Sequence, residues 1–306
     1  MKKIIFSAPH IKRYATEEFS QSEAPKFVAI SVTGNSCELM CNHCKGKLLQ
    51  SLYHVKSPSG LIEMCHRLYQ KGCEGILITG GCDKSGILRI KDNNPLSPFI
   101  KGDWEIAIKQ VKKSLKFKVA LHTKLADENF AKIAKDAGVD MVMIDVVGSE
   151  KTLRDVYNLK EKSLSDIMFT LKILNQYNLK IAPHIVVGLD YGNLRGEYEA
   201  LNILKQYEFD TLVLVVLSPL RNTLMENVEY PEINDVKNVI RKAREIFGDK
   251  PLSLGCVKGS GKYQVEIEKY AVDIGFNNIA YPSDETILYA REKGYEIKFS
   301  EYCCSF

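Results

Sequence analysis

The chain has 306 residues, of which 45% are hydrophobic, and its formal net charge is +4 with both signs spread along the sequence. This composition supports a large core and excludes a strongly basic nucleic-acid-binding protein. No apolar stretch reaches the ~18 residues that a membrane span needs, and Pro9 and His10 interrupt the first apolar run too early for a signal peptide. We therefore expect a cytoplasmic protein, in which nine cysteines favour metal sites or catalysis over disulfides.

Short apolar, β-branched runs alternate with amphipathic helical stretches along most of the chain. The runs are continuously apolar, as strands covered on both faces should be. The predicted strands are Phe27–Val32, Gly75–Thr79, Lys118–His122, Met141–Val147, Lys180–Val187, Thr211–Leu217, Leu252–Cys256 and Asn278–Tyr281. The predicted helices are Leu61–Gln70, Trp104–Leu115, Asp127–Ala137, Ser165–Tyr177, Glu197–Gln206, Ile233–Ile246, Tyr263–Ile274 and Asp284–Lys293. Eight strand–helix units without a flexible linker predict a complete (β/α)8 barrel of the TIM type, with a doubly wound open sheet as the alternative.

The predicted barrel is flanked by a short segment at each end. Residues 1–25 form a polar lead-in, residues 26–294 form the barrel, and residues 295–306 form an extended tail that carries a vicinal cysteine pair. The tail begins with YEIKF, which alternates polar and apolar side chains as an extended edge segment does. Nine extended residues span about 30 Å, at ~3.3–3.6 Å each, so the tail is long enough to bring its cysteines along the barrel wall to the catalytic face.

The segment Thr33–Lys45, which reads TGNSCELMCNHCK, follows the first predicted strand and carries Cys37, Cys41 and Cys44 in a C-x-x-x-C-x-x-C spacing. Catalytic groups of barrels collect where strands end, so this loop is expected on the catalytic face. Thiolates this close together can share an iron–sulfur cluster, and three of them leave one iron of a four-iron cluster open. Zinc binding is the alternative.

Glycines and polar side chains also stand at the ends of later predicted strands. They are Gly80, Gly81, Cys82 and Asp83, then His122 and Lys124, then Asp145, then His184, Val187, Gly188 and Leu189, and finally Cys256. An unpaired carboxylate inside an apolar strand costs several kcal/mol, so Asp145 needs Lys124 or a ribose hydroxyl as its partner. A structural salt bridge is the alternative for Asp145, and a hydrogen-bonded core histidine is the alternative for His184.

The other cysteines fall into two kinds. Cys65 and Cys73 lie in helical and turn surroundings typical of small buried hydrophobic residues, and we interpret them as packing. Cys82, Cys256, Cys303 and Cys304 make four, which is the number that closes an iron–sulfur cluster completely. We therefore predict a second [4Fe-4S] cluster on these four. The alternative is a disordered terminal pair with Cys82 and Cys256 merely packed.

The cysteine spacing resembles the signature of the radical S-adenosylmethionine (SAM) superfamily, in which the residue before the last cysteine is usually aromatic and here is His43. The run ITGGCD resembles the motif that holds the methionine end of SAM, although Cys82 occupies its usual glutamate position and Asp83 follows; a plain tight turn is the alternative. The run PHIVVGLDYG resembles the segment whose backbone flanks the adenine. The resemblance implies a [4Fe-4S] cluster on Cys37, Cys41 and Cys44 whose open iron binds SAM. It places SAM contacts among His43, Gly80, Gly81, Asp83, His122, Lys124, Asp145, His184, Val187, Gly188 and Leu189.

Beyond the superfamily, most of the chain resembles the biotin-synthase-like branch, and the stretch VDIGFNNIAYPSDETILYA followed by CCS resembles archaeal two-component lipoyl synthase subunits. This resemblance implies sulfur insertion into an unactivated C–H position of an octanoyl chain on a carrier protein or domain. The implied partners are that carrier, a sister radical SAM subunit and an electron donor such as ferredoxin or flavodoxin, with no nucleic acid and no membrane. The alternatives are a radical SAM mutase or ring-forming enzyme that makes no C–S bond, and a non-catalytic metal-binding scaffold.

Overall fold

The computed structural model describes residues 2–88 and 103–306. Its eleven described strands are β1 (Lys3–Ser7), β2 (Phe27–Ser31), β3 (Tyr53–His54), β4 (Gly75–Thr79), β5 (Lys118–Thr123), β6 (Met141–Asp145), β7 (Ile181–Val187), β8 (Leu212–Val216), β9 (Leu252–Leu254), β10 (Asn278–Ala280) and β11 (Glu296–Ser300). All eight predicted strands are present in order. The additional strands are β1, β3 and β11, of which β1 lies in the segment expected to be a lead-in.

Helices alternate with these strands as the apolar periodicity predicts. They are α1 (Pro58–Gln70), α2 (Asp103–Leu115), α3 (Glu128–Asp136), α4 (Glu150–Asp155), α5 (Leu164–Gln176), α6 (Glu197–Leu204), α7 (Ile233–Phe247), α8 (Gly261–Ile274) and α9 (Asp284–Glu292). Polar side chains define several starts, because each accepts a hydrogen bond from a free backbone N–H of the first turn. Ser57 accepts from Gly60 N at α1, and Asp127 accepts from Phe130 N at α3. Within the described residues, no helix is long and apolar enough to cross a membrane.

The strands form one parallel sheet in the order β11-β1-β10-β9-β8-β7-β6-β5-β4-β2-β3. The expected ring of eight strands requires β10 to pair with β2, and among the described residues β10 pairs instead with β1. β1 in turn pairs with β11 over five residues, from Lys3↔Glu296 to Ser7↔Ser300. The fold is therefore a curled, parallel α/β sheet of the TIM-like type, and a complete (β/α)8 barrel is not what the strand pairing shows.

Hydrogen bonds outside the strand pairing join the residues after β1 and β11 to the starts of β2 and β4. We call this region the seam. His10 N donates to Phe27 O at 3.0 Å, which connects the residues after β1 to the start of β2. Tyr302, just after β11, donates through its hydroxyl to Glu74 Oε2 at 2.6 Å, and Glu74 also pairs with Lys26 at 2.7 Å. The tail thus crosses from β11 to the beginnings of β2 and β4.

The curl is visible in a cluster of buried side chains that we call the interior cluster. It combines residues from strands far apart in the sheet with the tail: Ala8, Phe27, Ala120, Met141, Met143, Ala182, Val213, Ala280, Tyr281, Cys303 and Cys304. Closed barrels usually fill this space with bulky branched side chains, whereas β5, β7 and β10 contribute alanines here. The volume that these alanines leave is occupied by the tail, with Cys303 5% and Cys304 2% exposed.

Below the interior cluster, at the amino ends of the strands, lies a cavity of ≈700 Å³. Lys118, Asp140, Asn278 and Phe306 are among the residues that line it. Phe306 packs edge-on against Phe27, with 5.7 Å between ring centroids, so the tail closes the interior on this side. The opposite end of the sheet, where the strands terminate, carries the cysteine loop.

Candidate active site

Strand alternation places a layer of polar side chains directly above the interior cluster. Because side chains two residues apart on a strand share a face, the residues two positions after Leu77, Ala120, Met143 and Ala182 also point into the sheet. These are Thr79, His122, Asp145 and His184, which we call the polar layer. They lie about 7 Å nearer the carboxyl ends of the strands, at ~3.3 Å a residue.

Asp145 is the centre of the polar layer. Its Oδ1 lies 3.3 Å from His122 Nε2, and its Oδ2 accepts from Lys124 Nζ and, at 2.8 Å, from the Tyr157 hydroxyl. Burial opposes ionisation of the carboxyl, but Lys124 together with His122 and His184 outweighs it, and the pKa of Asp145 is held well below its usual range. Asp145 in turn helps to raise the pKa of Lys124, although burial acts to lower it, so the Lys124 ammonium stays protonated. The ion pair with Lys124, one of the two partners expected from the sequence, is therefore present.

His184 occupies the other side of this layer. Its ring centroid lies 6.1 Å from that of His122, and its Nδ1 lies 3.0 Å from Ala182 O. Burial, together with the neighbouring His122, lowers the pKa of His184 to about 4. The imidazole is consequently neutral at physiological pH and presents one hydrogen-bonding nitrogen beyond its backbone contact.

The cysteine loop, Thr33–Lys45, lies at the carboxyl end of β2 and docks on the residues after α4. Asn42 N donates to Val156 O at 2.8 Å, and Asn158 Nδ2 donates to Leu39 O at 2.8 Å and to Met40 O at 3.0 Å. The Cys41 thiol donates to Tyr157 O at 3.5 Å. The residues after α4 on which the cysteine loop docks were not predicted from the sequence. Only Asn158, an asparagine in a left-handed conformation (φ 60°), carries a local signal of a special backbone position.

In this loop Cys41 and Cys44 share a hydrogen bond that lowers the pKa of Cys44 and raises that of Cys41. The ligand atoms of Cys41, His43 and Cys44 all lie within 4.8 Å of one another, and this is the one such group in the described part of the chain. A hydrogen bond from Cys41, together with the adjacent His43, lowers the pKa of Cys44 to about 3 in spite of burial. The Nδ1 of His43 is buried and has no hydrogen-bond partner among the described residues. Thiolates rather than thiols are metal ligands, so this donor set fits a metal centre.

The second predicted motif packs directly against the cysteine loop. Gly81 N donates to Thr33 Oγ1 at 2.7 Å, and a Cβ at Gly81 would lie 2.0 Å from Ser36 O and 2.4 Å from Cys37 Cα. Glycine is therefore required here by close approach. A cavity of ≈130 Å³ opens between the two segments, and its lining includes Cys37, Gly81, Cys82 and Asp83.

The third predicted motif follows β7. Gly188 has a left-handed backbone (φ 77°), and a Cβ there would lie 2.0 Å from Pro231 Cγ. Its N–H donates to Glu197 Oε1 at 2.8 Å, and the flanking Val187 and Leu189 are buried. Asp190 is paired with Arg195 and lies 3.6 Å from Lys151, so its charge is already compensated. The predicted contact of this backbone with adenine stays a prediction.

Three of the four cysteines predicted to hold a second cluster are brought together. The Cys304 thiol interacts with the thiols of both Cys256 and Cys303, and these contacts raise the pKa of Cys304. Cys256 follows β9 and packs against the interior cluster that contains the other two. We call these three residues the second cysteine group. Tyr281 packs in the same cluster, and Lys12 Nζ lies 4.2 Å from the centroid of its ring.

Cys82 is not among the cysteines that pack together here, and its place in a second cluster stays a prediction. Cys82 packs in the main core outside the interior cluster, and its O lies 3.9 Å from the Cys37 thiol. Burial raises the pKa of the Cys82 thiol to about 12. The physical reason is the turn at Gly81, which directs the next residue toward the cysteine loop. Cys65 and Cys73 are buried with raised pKa values, in keeping with packing.

Comparison with known proteins agrees with this site. A family model described as the Radical SAM superfamily matches residues 31–194, which is more than half of the chain and includes the cysteine loop. The chain belongs to the radical SAM superfamily. Membership implies a [4Fe-4S] cluster and SAM, and Cys37, Cys41 and Cys44 are the residues that fit the cluster. No curated protein sequence matches the chain.

Several solved structures share the fold at low sequence identity. Methylornithine synthase (PylB) has a TM-score of 0.56 at 15% identity, covering 84% of this chain and 73% of PylB. The FeFe-hydrogenase maturase HydG from Carboxydothermus hydrogenoformans has a TM-score of 0.63 at 13% identity, covering 97% of this chain and 68% of HydG. SuiB from Streptococcus suis bound to SAM has a TM-score of 0.55 at 13% identity, covering 77% of this chain and 51% of SuiB. At these identities the likeness concerns the fold.

Proposed function

We propose that this radical SAM enzyme inserts sulfur into an unactivated C–H position, as a lipoyl synthase subunit acting on an octanoyl chain carried by a protein or domain. The observation that carries the proposal is the second cysteine group, in which Cys256 packs against the interior cluster that contains Cys303 and Cys304. A second iron–sulfur cluster on Cys256, Cys303 and Cys304 would be the source of the sulfur.

The two cysteine sites have different surroundings, which supports different roles. Cys37, Cys41 and Cys44 would hold the first cluster at the carboxyl ends of the strands; that cluster would supply the electron for reductive cleavage of SAM, which yields methionine and the radical that abstracts hydrogen. Cys303 and Cys304 are buried in the interior cluster, whose Met143 and Val213 provide apolar walls that suit an aliphatic chain and exclude water, and Cys256 packs against it. The polar layer between the sites would orient the ribose or the substrate amide through His122, Asp145 and His184.

A single ion is a poorer occupant of the second cysteine group than a cluster. Thiolates around one tetrahedral zinc ion at ~2.3 Å lie about 3.8 Å apart, whereas the thiols of this group do not all lie within 4.8 Å in the described structure. Cys37 likewise lies outside the 4.8 Å group of its own loop, although the family places all three loop cysteines on one cluster. Thiols that lie farther apart than those around a single zinc ion are thus compatible with ligands on separate irons of one cluster.

The test is product analysis under anaerobic, reducing conditions. The reconstituted protein is incubated with SAM and an octanoyl-lysine carrier domain, with and without the sister subunit, and a ferredoxin or flavodoxin as electron donor. We expect 5′-deoxyadenosine and a carrier product that contains new C–S bonds. The Cys303→Ala/Cys304→Ala variant should still cleave SAM but form no C–S bond, and Cys65→Ala, a buried cysteine elsewhere, should behave like the wild type. Unchanged C–S product from the double variant would refute the proposal; 5′-deoxyadenosine without any sulfur product would favour a mutase or ring-forming enzyme.

A further inference from the structure

The cavity of ≈700 Å³ at the amino ends of the strands has no part in the proposed function, and we call it the amino-end cavity. It lies on the side of the interior cluster away from the cysteine loop. Its volume is within the range of pockets that bind small molecules, about 300–1,000 Å³. Ser305 and Phe306 of the tail are among the residues that line it, so an occupant would contact the tail.

One buried side chain in the lining of the amino-end cavity lacks a hydrogen-bond partner. Asn278, the first residue of β10, is 4% exposed, and its Oδ1 is buried without a partner among the described residues. Its neighbours in the lining do have partners, since Thr211 Oγ1 lies 3.3 Å from Ser253 Oγ, which donates to Cys304 O at 2.8 Å. A buried polar atom without a partner is costly. A hydroxyl or N–H group of a bound molecule would supply the missing donor.

The exposed rim of the amino-end cavity carries lysines whose charges are not paired. Three exposed lysines line the cavity, and none of them forms an ion pair with another described residue: Lys118, Lys135 and Lys180. Lys118 Nζ lies 5.4 Å from the ring centroid of Phe306, and Lys135 Nζ donates to Asn178 O at 3.5 Å. Concave surfaces lined by one sign of charge attract ligands of the opposite sign.

The carboxylates in the lining of the amino-end cavity, by contrast, already have partners. Asp140 pairs with Lys112 and accepts a hydrogen bond from Val119 N at 2.7 Å. Asp210 accepts from Ile181 N at 2.9 Å. The lysines of the rim are therefore the charged groups of this cavity that remain available to a ligand, and they favour an anion.

We infer that the amino-end cavity binds a small organic anion, a carboxylate or phosphate that also carries an amide or hydroxyl group. Its anionic group would lie at the exposed lysine rim, and its hydroxyl or N–H group would donate to Asn278 Oδ1 at the buried end. Apolar side chains of the lining, among them Ile5 and Leu179, suit its carbon skeleton. Because Ser305 and Phe306 also line the cavity, the bound anion would stabilise the docked tail. The inference does not depend on the second cluster.

The experiment compares matched anionic and neutral probes on the full-length, reconstituted protein, with SAM in excess so that the site at the carboxyl ends of the strands is occupied. The anionic probes are pantothenate, which combines a carboxylate with amide and hydroxyl groups, and 4′-phosphopantothenate, which adds a phosphate. The neutral probe is panthenol, in which a hydroxyl replaces the carboxylate. Saturation-transfer NMR measures binding, and thermal melting measures stabilisation. We expect at least one anion to bind and to raise the melting temperature, and panthenol to bind at least about tenfold more weakly than pantothenate.

Two variants test the two ends of the amino-end cavity. Asn278→Leu removes the unpartnered Oδ1 and keeps a side chain of similar size, so it should weaken anion binding about tenfold. Its melting temperature without probe should stay the same or rise, whereas loss of a purely structural asparagine would lower it. Lys135→Gln/Lys180→Gln should also weaken anion binding about tenfold. The charge-matched control is Lys109→Gln/Lys172→Gln, which changes two exposed lysines outside the lining and should bind like the wild type.

Three outcomes would overturn the inference. If neither anion binds, or if pantothenate and panthenol bind equally, the cavity is filled by solvent only or does not select an anion. If the affinity of the anion is unchanged in either variant, the probe binds elsewhere. If the control pair weakens binding as much as the rim pair, the effect is one of net charge alone. None of these outcomes affects sulfur insertion, which is judged by the C–S product, so the two proposals fail separately.

Discussion

Asp83 illustrates how one carboxylate can serve both a turn and a ligand. Its Oδ1 accepts hydrogen bonds from Ser85 N at 2.9 Å, from the Ser85 hydroxyl at 2.6 Å and from Ile87 N at 3.1 Å. These bonds fix the turn that brings Gly81 against the cysteine loop, while Asp83 also lines the cavity beside Cys37. The tight-turn interpretation of ITGGCD is thus part of the structure, and the contact with the SAM ammonium stays a prediction.

Two substitutions at Asp83 distinguish the turn from the ligand contact. Asp83→Asn keeps an Oδ1 acceptor for the turn and removes the charge, so it should weaken SAM binding about tenfold, since a hydrogen bond to a charged group is worth ~1.5–3 kcal/mol. Asp83→Ala removes both functions and should weaken binding further and lower the melting temperature. Isothermal titration with SAM measures the dissociation constant. An Asn variant that binds SAM like the wild type, beside a destabilised Ala variant, would leave Asp83 with the turn alone.

His184 makes folding stability depend on pH. Its pKa is about 4 in the folded protein, against 6.5 for the unperturbed group. Between these pH values the unfolded chain binds more protons at His184 than the folded protein does. The contribution of the neutral His184 to the free energy of unfolding is therefore fully present above pH 6.5 and is lost as the pH falls toward 4. We expect the wild type to lose about 2 kcal/mol more than His184→Gln between pH 7 and pH 4.5, at ~1.4 kcal/mol per unit.

Urea denaturation at the two pH values, on both proteins, measures that difference. The comparison is needed because the charges of His122, Asp145 and Lys124 also act on His184. Their contribution largely cancels between wild type and variant. Parallel pH dependence in the two proteins would show that the folded state holds His184 with an ordinary pKa.

At the level of elements, the small side chains of the sheet interior determine whether the tail can enter. Ala120 on β5 is fully buried in the interior cluster with Cys303 and Cys304. Ala120→Leu would overfill this space, and such overpacking typically costs ~1–3 kcal/mol. We expect the variant to melt at a lower temperature and to lose iron from the second cysteine group while it keeps iron at Cys37, Cys41 and Cys44.

Ala120→Ser, which is nearly the same size, is the matched control for tail displacement. Iron content of the two variants in the Cys37→Ala/Cys41→Ala/Cys44→Ala background reports on the second site alone. Retention of full iron content by the leucine variant, with an unchanged melting temperature, would mean that the interior has spare volume at Ala120 and that the tail does not depend on it.

The order and bounds of the elements were predictable because they rest on local pattern. Continuous apolar runs of four to eight residues between amphipathic helical stretches identify β2 and β4–β10. β1 was missed because the run Ile4–Phe6 is short and stands apart from any helix. β3 has two exposed residues and no apolar signal. α4 is a six-residue helix, too short for its periodicity to be read with certainty.

At the level of the whole molecule, sequence predicts which residues line the site better than it predicts how the sheet ends. The Lys124–Asp145 pair follows from the cost of burying a lone charge, and the cysteine loop follows from spacing. The pairing of β1 with β10 and β11 depends on contacts between the two ends of the chain, for which no local pattern exists. The departure of Cys82 from the second cysteine group has the same origin, because it depends on how the turn at Gly81 packs on another loop.

The seam between β11 and β2 also constrains when the protein can finish folding. Ser7 on β1 pairs with Ser300 on β11, and the interior cluster is complete only when Cys303 and Cys304 are in place. Chains emerge from the ribosome N-terminus first, so the earliest strand must wait for the latest one, and such long-range pairing is slow. The cysteine loop, by contrast, hydrogen-bonds to residues 155–158 and to Tyr191, whose hydroxyl accepts from Asn42 Nδ2. During synthesis the first metal centre can therefore be built on a partly made chain, whereas the second cysteine group exists only after translation has passed the tail.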